Sequence, residues 1–312
     1  MRRSRLVLVV LLACASGLGL SACGSLRGED IVAGEPTGPI VGPTVPGFEP
    51  VTQGERLGMP KVVAMGRLGE DENAVYVMRR VGAPPNQPVL IWMHGYGTSH
   101  VGSQEPWLTH MTKRATVVFP AYTKPPYPVG PRFGQIAWPL IARSLRPALA
   151  KLRYDPRKLV VGGFSLGGAL TNDYVVGWKA EGLPKPYGAM AIFPGRAAKN
   201  GGERFVPRQS GTVPRDTDLV EMASKNDLLA GTREASFFIA KAKGTARRTL
   251  ILVHDFAYGD HFAPTRDGLA EQRVFWRPLD RLIDRVNRRA DRHARKAGVT
   301  PYTPVASRSA SS

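Results

Sequence analysis

From residue 61 onward, short apolar runs recur between longer segments whose apolar positions return at helical spacing. Residues 62–65 and 74–81 read as early strands. Pro88-Val-Leu-Ile-Trp-Met93 is apolar throughout, as a strand covered on both faces must be. Residues 115–119, 159–162, 187–193, 219–223 and 249–253 continue the strand series. Ile136, Leu140, Ile141, Leu145 and Leu149 mark a helix over 134–152, with Pro147 expected to kink or divide it. Further helices are predicted over 166–179, 232–242 and 269–288. Strand and helix in alternation predict an α/β fold with a mostly parallel central sheet flanked by helices. Reactive groups in such folds gather at the carboxyl ends of the strands.

The ends of the chain break this pattern. Arg2, Arg3 and Arg5 precede an apolar stretch over 6–15, and small residues lead to Leu20-Ser-Ala-Cys23. A basic start, a short apolar core and a small-residue cleavage site make a secretory leader. The Leu-Ser-Ala-Cys ending resembles the lipobox of bacterial lipoproteins, in which the Cys is lipidated and becomes the first residue. Residues 1–22 are therefore expected to be removed and Cys23 to carry the lipid. Residues 24–60 hold eight Gly and six Pro without a sustained hydrophobic period. They read as a tether, and 301–312 as a frayed tail, leaving a domain over 61–300.

Composition adds two constraints. The 312 residues contain two Cys, Cys14 and Cys23, so neither a disulfide framework nor a Cys-based zinc site is expected in the body. The net charge is +18, and +15 once the leader arginines are gone. On an exported chain this charge points to anionic lipid headgroups or envelope polymers and not to nucleic acid, or else it serves solubility alone.

Three strand ends carry chemistry. Gly163-Phe-Ser-Leu-Gly-Gly168 follows the strand over 159–162 and opens a helix. A Ser in so tight a turn needs glycine on either side, because neighbouring backbone passes close by. The turn lifts the Ser165 hydroxyl over the sheet and sets the Leu166 N–H at a helix N-terminus. A hydroxyl is a weak nucleophile until a base takes its proton. His261, in the loop after the last strand, is the favoured base. His254 competes with it, and His100 and His110 come too early in the chain. The carboxylate that orients the base must lie between 165 and 261. Asp227 follows the strand over 219–223 at the correct end; Asp216 and Asp218 precede that strand, and Asp255 and Asp260 sit very near His261.

With His94-Gly-Tyr-Gly97 at the end of the 89–93 strand, these residues resemble the α/β-hydrolase family over most of 61–290, including its esterase, lipase, polyester depolymerase and dienelactone-hydrolase-like members. The resemblance implies that the His94-Gly95 turn is the oxyanion loop, with the Tyr96 and Leu166 N–H groups as donors. His94 would organise that loop. It implies a carboxylic ester hydrolase with a Ser-His-Asp triad, an ester as substrate, and no metal or organic cofactor; with the lipobox-like ending, the hydrolase is expected to be membrane-anchored. A peptidase, an acyltransferase or a non-catalytic envelope binding protein on this scaffold stays open. The chain departs from the family in having only a short Gly- and Arg-containing segment, 195–217, where a cap domain is often inserted. Leu279, Leu282, Ile283, Val286 and Ala290 form a stripe edged by arginines: either a helix packed on the sheet or a contact with a membrane surface.

Overall fold

A computed structural model of the chain describes residues 42–56, 58–97, 100–123, 131–196 and 209–298, the first six residues of 131–196 by backbone alone. The expected leader, Cys23, the start of the tether and the tail lie outside the described residues. Eight strands form one sheet: β1 (Val63–Leu68), β2 (Val75–Arg80), β3 (Val89–Met93), β4 (Thr116–Pro120), β5 (Leu159–Phe164), β6 (Gly188–Ile192), β7 (Asp218–Ala223) and β8 (Arg247–Leu252). Their order across the sheet is β1-β2-β4-β3-β5-β6-β7-β8. β2 runs antiparallel to β1 and β4, and the remaining neighbours are parallel. The expected mostly parallel sheet is present.

Five longer helices cover the sheet: α1 (Glu105–Met111), α2 (Pro131–Lys151), α3 (Leu166–Gly177), α4 (Arg233–Lys241) and α5 (Arg277–Lys296). Side-chain alternation in the strands divides the core in two. Val89, Ile91 and Met93 of β3 face a layer with Trp138, Ile141 and Leu145 of α2 and Leu170 and Tyr174 of α3. Leu90 and Trp92 face the opposite layer, with Trp107 of α1 and Leu279, Ile283 and Val286 of α5. A strand sandwiched this way has no polar face, which is why its sequence reads as a continuous apolar run.

Two expectations change in detail. α2 is one helix in spite of Pro139 and Pro147, because both prolines lie on its exposed side. There, water can serve the carbonyls that lose an N–H partner. Helical backbone begins at Leu269, as expected, but regular α5 starts only at Arg277 and runs past 288 to Lys296. A wide turn over Gln272–Trp276 precedes it, Pro278 sits in its first turn, and buried Ala290 and Ala294 carry its apolar face on to Lys296.

Part of the expected tether belongs to the folded body. Val45, Phe48, Val51 and Met59 are buried, and the backbone bridges β1 at Thr44–Met65 and Glu49–Arg67. The buried Arg56 guanidinium donates to the Pro60 and Val63 carbonyls. The segment contributes one apolar side chain every few residues, too sparsely for a period but enough to cover the sheet edge. Between β6 and β7 the described residues contain no helix or strand, and residues 197–208 lie outside the description.

Candidate active site

β5 and α3 meet at Ser165, whose backbone takes φ 58° and ψ −121°. Few side-chain-bearing residues adopt a positive φ, and such strain persists only where the surroundings enforce it. Here they do. A Cβ on Gly163 would lie 2.7 Å from the Met93 carbonyl oxygen, and one on Gly167 would collide with the carbonyl oxygens of Met93 and His94. Glycine at both positions lets α3 start directly against the end of β3. The Ser165 N–H donates to the Ile192 carbonyl at 2.9 Å, and the Ser165 carbonyl accepts from the Gly195 N–H at 3.1 Å. The turn is thus tied to the end of β6 as well.

The three residues singled out by sequence order come together. Ser165 Oγ lies 2.8 Å from His261 Nε2, and His261 Nδ1 lies 2.8 Å from Asp227 Oδ2. An ionised carboxylate only accepts, so Nδ1 carries the imidazole proton. In the neutral ring Nε2 is then the acceptor and the Ser165 hydroxyl donates to it. Asp227 is fully buried. Its other oxygen, Oδ1, accepts the Leu229 and Ala230 N–H groups at 2.8 and 2.9 Å. The carboxylate is held by its own loop on one side and turned to the imidazole on the other. His261 is 8% exposed and Ser165 half-buried, so the relay opens to solvent at its serine end.

The competing residues stand outside this relay. His254 is exposed, and His110 bonds to Asp280 at 3.0 Å. Asp216 pairs with Lys185 at 2.7 Å and Asp218 with Arg289 at 2.9 Å. Asp255 accepts the Ala257 N–H at 2.9 Å; Asp260 accepts the Phe262 N–H at 3.0 Å and pairs with Arg266 at 2.8 Å.

The His94–Gly97 loop lies against the serine. A Cβ on Gly95 would stand 3.5 Å from the Ser165 Cβ, and Gly97 takes φ +77°. Tyr96 follows Gly95 directly, and Leu166 is the first residue of α3, where an N–H has no partner within its own helix. His94 is fully buried, stacked on Tyr122 with ring centres 3.9 Å apart. Its Nδ1–H donates to the Gly95 carbonyl at 2.7 Å, and the Tyr122 hydroxyl donates to the His94 carbonyl. Burial pushes the His94 imidazole down to about 3, so the ring is neutral at ordinary pH.

A second buried polar cluster centres on Arg196, which the sequence did not single out. The buried Arg196 guanidinium donates to both oxygens of Asp173 in α3 at 2.8 Å, to Glu234 of α4 at 2.6 Å, and to the Ala169 carbonyl at 2.9 Å. It joins the helix behind Ser165 to the helix that follows the Asp227 loop. Burial raises Asp173 even beside this cation. The available signal was Asp173 itself, a carboxylate inside a helix that is otherwise almost wholly apolar and buried throughout.

Esterase B from Lactobacillus rhamnosis is similar with a TM-score of 0.58, covering 77% of this chain and 90% of its own at 13% identity. A structure of the same esterase inhibited with a tributyrin phosphonate also gives 0.58. An esterase/lipase from an uncultured bacterium gives 0.54, covering 75% and 87% at 15% identity. At these identities the likeness is one of fold. No curated protein matches the sequence. The alpha/beta hydrolase fold family matches residues 90–257, a span running from β3 through the serine turn and the Asp227 loop. With more than half its length matched to that family and the architecture of bacterial esterases, the chain belongs to the alpha/beta hydrolase fold family.

Proposed function

We propose that this hydrolase cleaves carboxylic esters through a Ser165-His261-Asp227 triad and an acyl-enzyme. The observation that carries the reading is the continuous hydrogen-bond relay from Asp227 through His261 to Ser165. Ser165 Oγ attacks the ester carbonyl carbon while His261 Nε2 takes its proton. Asp227 stabilises the imidazolium that forms. The carbonyl oxygen becomes an oxyanion, with the Tyr96 and Leu166 N–H groups proposed as its donors. The imidazolium then gives its proton to the leaving alkoxide, and the C–O bond breaks to leave the acyl group on Ser165. Water repeats the sequence with His261 as base, releasing the acid and restoring the serine. Every step uses these side chains and backbone groups, so the proposed chemistry calls for no metal or organic cofactor. The tributyrin phosphonate on the Lactobacillus esterase supports a short acyl chain as first choice of substrate.

The second part of the proposal is location. The basic start, apolar run and Leu20-Ser-Ala-Cys23 ending support export and lipid attachment at Cys23. Residues 1–22 are then a leader, and Cys23 the first residue of the exported chain. No helix among the described residues is long and apolar enough to cross a membrane.

A panel of p-nitrophenyl esters from acetate to palmitate, run beside aminoacyl anilides, tests the chemistry. Turnover of short esters that disappears in Ser165→Ala is expected. Turnover of anilides alone would make the protein a peptidase, and turnover of neither would end the ester reading. Fatty-acid labelling of cells expressing the chain tests the anchor: label is expected on the parent and not on Cys23→Ala.

A further inference from the structure

The last helix, α5, separates its charges by face. Arg285 and Arg289 turn inward, to Asp218 at 3.4 and 2.9 Å. Its three acids are drawn to neighbouring elements: Asp280 to His110 and Arg114 at 3.0 Å, Asp284 to Arg114 at 3.2 Å, and Asp291 to Lys158 at 2.7 Å. Arg277, Arg281, Arg288, Arg292 and Arg295 remain, all exposed and without an ion-pair partner among the described residues. At about 100° per residue these five fall within a sector of roughly 60°. The positions from 277 to 295 extend about 27 Å along the axis. The helix therefore presents a straight ridge of five guanidinium groups with its acids kept to one flank.

Like charges four residues apart on a helix repel, as Arg277 with Arg281 and Arg288 with Arg292 do here. An anionic partner reverses that cost. We infer that this ridge is a docking surface for anionic phospholipid headgroups. A flat array of mobile anions can meet all five guanidinium groups of a straight, one-sided ridge at once. The apolar face of α5 cannot take part, because Leu279, Leu282, Ile283 and Val286 are buried in the core. Contact is thus electrostatic and superficial, without insertion of apolar side chains into the bilayer. A membrane, and not a soluble polyanion, is chosen as partner because the Leu-Ser-Ala-Cys23 ending directs the chain to a membrane. The inference rests on that proposed location and is independent of the ester chemistry.

Residues 24–312, prepared without lipid, contain every element described above and are suited to vesicle sedimentation. Vesicles of phosphatidylcholine with about 30% phosphatidylglycerol are compared with phosphatidylcholine alone, at low and physiological salt. Binding to the anionic vesicles that weakens with salt is expected. The Arg281→Gln/Arg288→Gln/Arg292→Gln variant should bind roughly 100-fold more weakly, at about fivefold per basic residue brought near the surface. A control with Lys241→Gln, Lys243→Gln and Arg247→Gln loses the same net charge from exposed positions elsewhere. It should bind within a few-fold of the parent, and both variants should hydrolyse a soluble short ester at the parent rate. Failure of the parent to prefer anionic vesicles would overturn the inference. So would equal losses in the two variants, which would assign binding to net charge alone. Capture of soluble polyphosphate without vesicle binding would replace the lipid by a polyanion. Because binding is read without turnover, loss of vesicle binding and loss of ester hydrolysis are separate outcomes.

Discussion

Ser165 can hold its strained backbone because the residues two positions to either side have no side chain. A Cβ on Gly167 meets backbone oxygens of Met93 and His94 that cannot rotate away. Gly167→Ala should therefore cost about 3 kcal/mol or more in urea unfolding. Gly244→Ala, where nothing lies within 4 Å, should stay within about 0.5 kcal/mol of the parent. Asp227→Asn keeps an acceptor for the Leu229 and Ala230 N–H groups and should fold normally. It loses the charge that fixes the imidazole tautomer, so kcat should fall by roughly 10³- to 10⁴-fold with little change in melting temperature. His94 offers a test in pH. Its folded form titrates at about 3, against an ordinary value of 6.5. Below pH 6.5 the unfolded chain binds a proton that the folded chain refuses. Its stabilising contribution is complete above about 6.5 and is lost progressively as pH falls toward 3. His94→Gln should flatten the acid loss of stability by up to about 1.4 kcal/mol per pH unit between pH 6 and 4, measured by urea unfolding. Ser165, His261 and Asp227 were legible because each follows a recognisable strand, and chain order left few rivals.

At the level of elements, legibility followed how each segment is covered. β3 and β5 lie between two helical layers, and their unbroken apolar runs announced them. Residues 42–60 cover only an edge, and their scattered apolar residues read as tether. The extension of α5 to Lys296 depends on two alanines, whose small side chains give a weak apolar signal. The Arg196 cluster was illegible for another reason. Its acidic partners are 23 and 38 residues away, so only the completed fold brings them together. Arg196→Met removes the guanidinium that buried Asp173 and Glu234 both bond, and should destabilise the fold by about 3–5 kcal/mol in urea unfolding. Replacing all three by apolar residues of similar size should recover much of that loss. If the single and triple variants are equally unstable, packing and not charge pairing is the role of Arg196.

The whole molecule combines a site at the carboxyl ends of β3, β5 and β7 with a basic surface elsewhere. Two sheet edges differ: β1 is bridged by residues 44 and 49, whereas β8 keeps most of its side chains in solvent. The proposed ester hydrolysis turns on one oxygen atom, Oγ of Ser165. The most direct measurement is covalent labelling with a fluorophosphonate, followed by peptide mapping and a parallel assay of p-nitrophenyl butyrate hydrolysis. A single adduct on Ser165, with activity lost in proportion to labelling and no adduct on Ser165→Ala, is the predicted result. An adduct on another residue, or active enzyme that takes up no label, would contradict the assignment of Ser165 as the nucleophile.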